Sequence, residues 1–343
     1  MSDDVQAQLQ KTIADLVQPG RGILAADESA PTIEKRFRAI GVESTPENRR
    51  AYRALLLGTP GLGQYLSGVI LFEETLGQKD RDGTPLPELA RRQGIVPGIK
   101  VDKGTVGLAH APGDLITQGL DGLGERLKGY AAQGARFAKW REVYPISPAN
   151  PTELGVAANA DTLAHYAAIC QEQGIVPIVE PEVLLDGDHS IERCAQVTLA
   201  VLQSLFEALY RHRVALETMV LKASMVLPGK EHAVKAGPAE VARATLAVLK
   251  RTVPPAVPSI NFLSGGQTPV QATANLQAMN AQYPGAPWRL SFSYARALQQ
   301  PVMDIWRGDS RKEGAAQQAL ALRARLNAAA SVGRYEATLE PAG

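Results

Sequence analysis

Eight short apolar segments recur along the chain, near 22–27, 68–74, 98–103, 135–141, 175–182, 217–224, 258–264 and 288–294. The stretches between them carry helical periodicity. Strands alternating with helices imply a parallel sheet built from right-handed crossovers. Eight such units predict a closed (β/α)8 TIM barrel of class α/β, formed as a single domain over 1–343 with extra N- and C-terminal helices. The competing architecture is an open doubly wound sheet. That fold usually brings glycines just after its first strand, whereas GRGILAAD at 20–27 has them before it.

Composition narrows the function classes. Lys plus Arg is 36 and Asp plus Glu is 35, so no basic field invites nucleic acid and no acidic tail is present. Two cysteines in 343 residues, Cys170 and Cys194, form no disulfide framework, and a reducing, cytoplasmic setting is expected. The opening MSDDVQAQLQ is acidic and polar, unlike a signal peptide, and no run reaches membrane-span length. The five histidines, His110, His165, His189, His212 and His232, are dispersed without zinc-motif spacing and read as surface or helix residues. No metal and no cofactor is expected, and neither a P-loop nor a nucleophile elbow appears.

The charges fall at the C-terminal ends of the strands. Asp27, Lys103, Lys139 with Arg141, Glu180 with Glu182, Lys222, Ser264 and Arg296 all lie there. In a barrel these ends converge on one mouth, where active sites form. A single strand-end lysine is commonly a snorkelling surface group, and a VEPE pair or an SGG turn is equally ordinary alone. Seven of eight strands sending such groups to one rim is a catalytic pattern. Lys222 stands in the apolar stretch ETMVLKASMVLP, where an unpaired ammonium is costly to bury. A deprotonated lysine is a nucleophile that forms an imine with a carbonyl. Lys139 and Lys103 are expected close to Lys222, Glu180 or Glu182 to relay protons, and Asp27 to exchange one with a substrate hydroxyl. Ser264-Gly265-Gly266 offers a hydroxyl and an anion nest, and Arg296 and Arg36 offer forked donors. Two anion sites beside an imine lysine suit a sugar carrying phosphate.

These blocks also match a known family. GILAADES at 22–29, ENRRAYR at 47–53, GVILFEETL at 68–76, GIKVDKG at 98–104, TQGLDGL at 117–123, FAKWR at 137–141, GIVPIVEPE at 174–182, DGDH at 186–189, KRTVPPAV at 250–257, FLSGGQ at 262–267 and FSYARAL at 292–298 stand in the family's order. Along almost its whole length the chain resembles class I fructose-bisphosphate aldolase. The resemblance implies metal-independent, reversible cleavage of fructose 1,6-bisphosphate to dihydroxyacetone phosphate and glyceraldehyde 3-phosphate. On matching positions it makes Lys222 the Schiff-base lysine and Glu180, with Glu182 beside it, the acid/base for dehydration. Asp27, with Lys139 in its network, becomes the group that handles the C4 hydroxyl proton. It assigns one phosphate to Ser264, Gly265, Gly266, Ser293 and Arg296. The other falls to Arg36, Lys103 and Ser29, with Arg49 and Arg141 as further carry-overs. A homotetramer is expected on the resemblance alone.

The chain departs from the family pattern in four places. Lys222-Ala223-Ser224-Met225 stands for Lys-Pro-Asn-Met, Ala295 for a glycine, and Pro31 for a glycine in the DES loop. Animal members end in a tyrosine that assists proton transfer at the enamine. Here EATLEPAG follows Tyr335, so trimming the last several residues is expected to leave turnover nearly unchanged. Two other readings compete: another Schiff-base sugar-phosphate aldolase or transaldolase, and a barrel that has lost catalysis and serves as a scaffold.

Overall fold

A computed structural model describes residues 2–340. Helix α1 (Asp3–Leu16) leads into β1 (Gly22–Ala26), followed by α2 (Ala30–Ala39) and α3 (Pro46–Leu57). Next come β2 (Leu66–Leu71), α4 (Glu73–Leu76), α5 (Leu86–Arg92) and β3 (Val96–Lys100). A hairpin of β4 (Thr105–Gly107) and β5 (Leu115–Thr117) precedes α6 (Leu123–Ala132) and β6 (Phe137–Tyr144). Then follow α7 (Glu153–Glu172), β7 (Val176–Val183), α8 (Ile191–Arg211), β8 (Val220–Ala223), α9 (Pro238–Thr252), β9 (Ser259–Phe262), α10 (Pro269–Gln282), β10 (Arg289–Tyr294), α11 (Arg296–Trp306) and α12 (Glu313–Ala330). The strands close as β1-β10-β9-β8-β7-β6-β3-β2, all parallel, so the molecule is a (β/α)8 barrel rather than an open sheet. No helix of the described residues is long and apolar enough to cross a membrane.

Strand boundaries shift from the sequence reading by up to three residues, and three of the shifts have a local cause. The second strand ends at Leu71, because Glu73 and Glu74 supply the acidic first turn of α4. The third ends at Lys100; Asp102 Oδ1 then accepts from Gly104 N (3.3 Å), and Gly104 turns with φ +90°. The sixth begins at Val220, after a 3₁₀ turn at Leu216–Thr218. The β4–β5 hairpin was not expected. It is pinned to β6 by buried Glu142, which accepts from Thr117 N (3.0 Å) and Trp140 Nε1 (2.8 Å). Burial outweighs these two donors and pushes the Glu142 carboxyl up to about 7.

Alternation along the strands divides the barrel into two layers of core. The helix-facing side chains, such as Leu24, Trp140, Val179 and Phe292, pack under the helical ring. The lumen-facing set at the lower end, Ile23, Ile70, Val96, Phe137, Val176, Ile178 and Val220, forms an apolar floor with Leu9 and Leu16 of α1 plugging it from below. Glycines make room for this floor. Gly98 pairs with Phe137, whose ring lies 2.3 Å from where a Gly98 β-carbon would stand, and a β-carbon on Gly68 would meet Leu16 at 2.8 Å.

The C-terminal segment is tied down as far as residue 340. Buried Arg323 pairs with Glu340 (2.6 Å), which also accepts from the Tyr335 hydroxyl (3.0 Å). The last three residues of the tail discussed above lie outside the described residues. A truncation that removes Glu340 therefore strips a buried guanidinium of its partner, a structural cost separate from any role in turnover.

Because the floor has no spare volume at Gly98, Gly98→Ala should lower unfolding stability by about 1–3 kcal/mol in urea melts. An unchanged midpoint would show that the Phe137 ring relaxes freely and that the floor is not closely packed.

Candidate active site

The side chains above the floor are polar. Register places them in one layer: Lys100 pairs with Lys139, Arg141 with Glu180, and Lys222 with Asn261. Register neighbours in a parallel sheet share a face, so Lys100, Lys139, Glu180, Lys222 and Asn261 all point into the lumen. Asp27 joins them from the first residue past β1.

These groups form a buried chain of alternating charge. Lys222 Nζ lies 3.0 Å from Glu180 Oε1. Lys139 Nζ lies 3.4 Å from Glu180 Oε2 and 2.7 Å from Asp27 Oδ2. Lys222, Lys139 and Glu180 are 3–4% exposed and Asp27 is 9% exposed, so water screens these charges weakly. Burial alone would raise the Asp27 pKa, but the Lys139 and Lys222 charges outweigh it and hold the carboxyl far below the carboxylate range. Glu180 is likewise held low: burial opposes, while Lys222 and Lys139 prevail. Burial would lower Lys139, but Asp27 and Glu180 keep it a cation far into the alkaline range. Glu182 stands one step further out and pairs with Arg141.

Asp27 is aimed by its sequence neighbour. Glu28 turns away from the lumen and is buried against Arg53 (2.5 Å), Arg36 and Gln299 Nε2 (2.8 Å). Tyr52 donates in turn to Gln299 Oε1 (2.9 Å). This clamp fixes the end of β1 and so the direction of Asp27.

A second group of residues faces the mouth from β9 and β10. Gly265 (φ +44°) and Gly266 (φ +87°) adopt successive left-handed conformations that suit glycine, the geometry of an anion nest after buried Ser264. Ser293 shares the lumen-facing side of β10 with Ser291, and its hydroxyl is buried without a hydrogen-bond partner. Arg296 opens α11, and its Nη2 lies 3.8 Å from the β-carbon position of Gly266. Ala295 before it has φ −100°, so this position does not need a glycine.

Other expected residues lie elsewhere. Lys103 was expected near Lys222; it lies beyond the end of β3 and pairs with Glu73 (3.0 Å), with 47% of its side chain exposed. The lumen lysine on that segment is Lys100, held by Asp102 (2.6 Å) and within electrostatic reach of Asp27. Period-2 alternation already separated Lys100 and Asp102 from Lys103, so the signal for Lys100 was present. Arg36 is committed to Glu28, and Arg49 to Glu74 (2.6 Å) and Ser44 O (2.6 Å). Ser29 caps α2 at the mouth, its hydroxyl 3.2 Å from that of Thr32. Of the histidines, His189 is buried in the loop before α8, with neither ring nitrogen partnered, rather than on a surface. Burial lowers its pKa.

Comparison with known proteins bears on this arrangement. The family model for fructose-bisphosphate aldolase class-I matches residues 8–342. A probable fructose-bisphosphate aldolase class 1 from Xanthomonas campestris pv. campestris is 53% identical, covering 96% of this chain and 98% of that protein. The cytosolic fructose-bisphosphate aldolase 6 of Arabidopsis thaliana is 54% identical over 93% of this chain and 88% of its own length. Among solved structures, fructose-bisphosphate aldolase from Plasmodium falciparum, crystallised with TRAP and a small-molecule inhibitor, superposes with a TM-score of 0.96. It is 50% identical, and 98% of this chain and 97% of that one are covered. With the family match spanning residues 8–342, the chain belongs to the class-I fructose-bisphosphate aldolase family.

Proposed function

We propose that the chain carries out its family's reaction, reversible aldol cleavage of fructose 1,6-bisphosphate, through an imine on Lys222. The observation that carries this reading is the buried Glu180 carboxylate, which stands between the Lys222 and Lys139 ammonium groups. Glu180 Oε1 lies 3.0 Å from Lys222 Nζ and takes up its proton as the entering substrate displaces the ion pair, which frees the amine for attack. The amine attacks the substrate C2 carbonyl and forms a carbinolamine. Glu180 returns the proton to the departing hydroxyl, and water leaves as the iminium forms. Asp27 then removes the C4 hydroxyl proton. The C3–C4 bond breaks, and its electron pair enters the iminium as an enamine while glyceraldehyde 3-phosphate departs. Protonation of the enamine and hydrolysis of the imine release dihydroxyacetone phosphate. Lys139 stays protonated throughout and holds Asp27 ionised and ready. Arg141 fixes Glu182 beside this relay.

One substrate phosphate sits against Ser264, the Gly265–Gly266 nest, the free Ser293 hydroxyl and Arg296. The other meets the Ser29 end of α2. Arg36 and Arg49 are held by the better-buried Glu28 and Glu74, so their place in this reading is to shape the rim, whereas Lys103, in a half-exposed pair with Glu73, is free to turn to this phosphate. A cytoplasmic setting completes the proposal, supported by the cytosolic relative and the two buried, unpaired cysteines, and a homotetramer is proposed on the family resemblance alone. A scaffold would have no use for a buried Asp–Lys–Glu–Lys chain, which costs stability to maintain.

Triose phosphate release from fructose 1,6-bisphosphate, followed by a coupled assay, should proceed undiminished in excess EDTA. Loss on chelation with recovery on adding zinc would contradict an imine route. Asp27→Asn should lower turnover by about 100-fold or more with little change in KM. Turnover close to wild type would remove Asp27 from bond breaking. The same variant tests the charge chain. Asp27 ionises well below its ordinary value of 3.8, so its stabilisation is complete above that pH and is lost as pH falls through the folded-state value. The stability gap between wild type and Asp27→Asn should hold constant from about pH 6 to 8 and narrow as pH drops below about 4. A gap that widens in acid would show Asp27 to be unpaired.

A further inference from the structure

The loops after β7 and β8 are laced together more tightly than a phosphate nest requires. Gly229 N donates to His189 O (2.8 Å), Lys230 N to Leu185 O (2.8 Å) and Glu231 N to Gly187 O (3.0 Å). The approach is so close that a β-carbon on Gly229 would lie 2.1 Å from Gly187 O. This lacing gives Lys230 a rigid mount, and its side chain crosses directly over the nest. A β-carbon on Gly266 would stand 2.6 Å from Lys230 Cε, 3.3 Å from Lys230 Nζ and 3.8 Å from Arg296 Nη2. Both cationic heads therefore lie within 4 Å of one point above Gly266. The anion facing them is Asp186, 2.7 Å from Lys230 Nζ. The hydrogen bond from Lys230 and the charges of Lys230 and Arg296 hold Asp186 below its ordinary range against slight burial.

We infer that Lys230 is a substrate-binding residue: a second cation, beside Arg296, on the phosphate seated at Ser264–Gly266, with Asp186 as its competing partner. The inference rests on the reading of that nest as a phosphate seat. The Lys230–Asp186 pair is weak because both side chains are substantially exposed, 43% and 69%. A phosphate dianion held by backbone N–H groups and Arg296 offers Lys230 twice the charge and several acceptor oxygens. On binding, Lys230 Nζ shifts from Asp186 to the phosphate, and Asp186 turns to solvent. Asp186 thus sets the affinity of the seat: it keeps the two cations from repelling each other when the seat is empty, and it must be displaced before phosphate binds. Gly266 is needed twice, for its left-handed turn and for the passage of the Lys230 stem.

Inorganic phosphate is the probe, with its Kd measured by calorimetry on the full chain. Lys230→Gln should weaken binding about fivefold to tenfold, and Lys230→Arg should restore it to within about twofold. Asp186→Asn should tighten it about threefold by releasing Lys230. A general loosening of the loops cannot reproduce opposite shifts from the two ends of one ion pair. In turnover, Lys230→Gln should raise KM for the bisphosphate with kcat within about twofold. Equal phosphate Kd values for wild type, Lys230→Gln and Asp186→Asn would overturn the inference and leave a surface ion pair. If the wild type fails to cleave fructose 1,6-bisphosphate while the phosphate series keeps its order, the proposed function falls and the Lys230 assignment stands. Cleavage with a flat phosphate series removes Lys230 alone.

Discussion

Four buried charges on four strands cannot exist in this barrel unless each finds its neighbour. Asp27, Lys139, Glu180 and Lys222 come from β1, β6, β7 and β8, and no member has another of its own sign as its closest partner. Removing one member of a buried ion pair costs about 3–5 kcal/mol, because the other is left uncompensated. The chain of charges therefore depends on strand register: a slip by one residue would turn Lys139 or Glu180 out towards the helices. The apolar floor beneath it enforces that register. Phe137 over Gly98 and Leu16 against Gly68 admit one alignment of β2, β3 and β6. The fold thus supplies what imine chemistry needs, an amine, a proton acceptor 3.0 Å away and a weakly screened setting in which their charges matter.

The rest of the mouth divides its charges between holding and binding. Glu28 and Glu74 consume Arg36, Arg53 and Arg49 in ion pairs around the rim, which stiffens it. The opposite side keeps its donors available. Ser293 has an unpartnered hydroxyl, Gly265 and Gly266 turn through left-handed conformations, and Lys230 is held by an exposed aspartate. This asymmetry gives the lumen a structural side and a binding side. It follows from which strand ends carry glutamates.

Much of this was legible in the sequence. Lys222 stood out because an isolated lysine in an apolar strand needs a partner, and Glu180 and Lys139 followed from alternation along FAKWR and VEPE. The barrel followed from eight strand–helix repeats. What the sequence hid was partner choice across distance. Nothing local says that Arg49 finds Glu74, or that Glu28 gathers Arg36, Arg53 and Gln299, so Arg36 and Arg49 looked free for phosphate. Lys103 was misplaced for another reason. Its strand ends at Lys100, so Lys103 lies in the loop beyond, where it pairs with Glu73. The three-residue strands of the β4–β5 hairpin were too short to show a period, and Lys230 announces itself only when the loop after β8 is seen to cross the nest.

The central claim is that the Lys222 amine is the one that reacts. Incubation with dihydroxyacetone phosphate, reduction with sodium borohydride and peptide mapping by mass spectrometry test it directly. The expected result is a single reduced adduct on the peptide containing Lys222, absent from Lys222→Arg. An adduct on Lys139, Lys100 or any other residue, or none at all from an enzyme that still cleaves its substrate, would contradict the account.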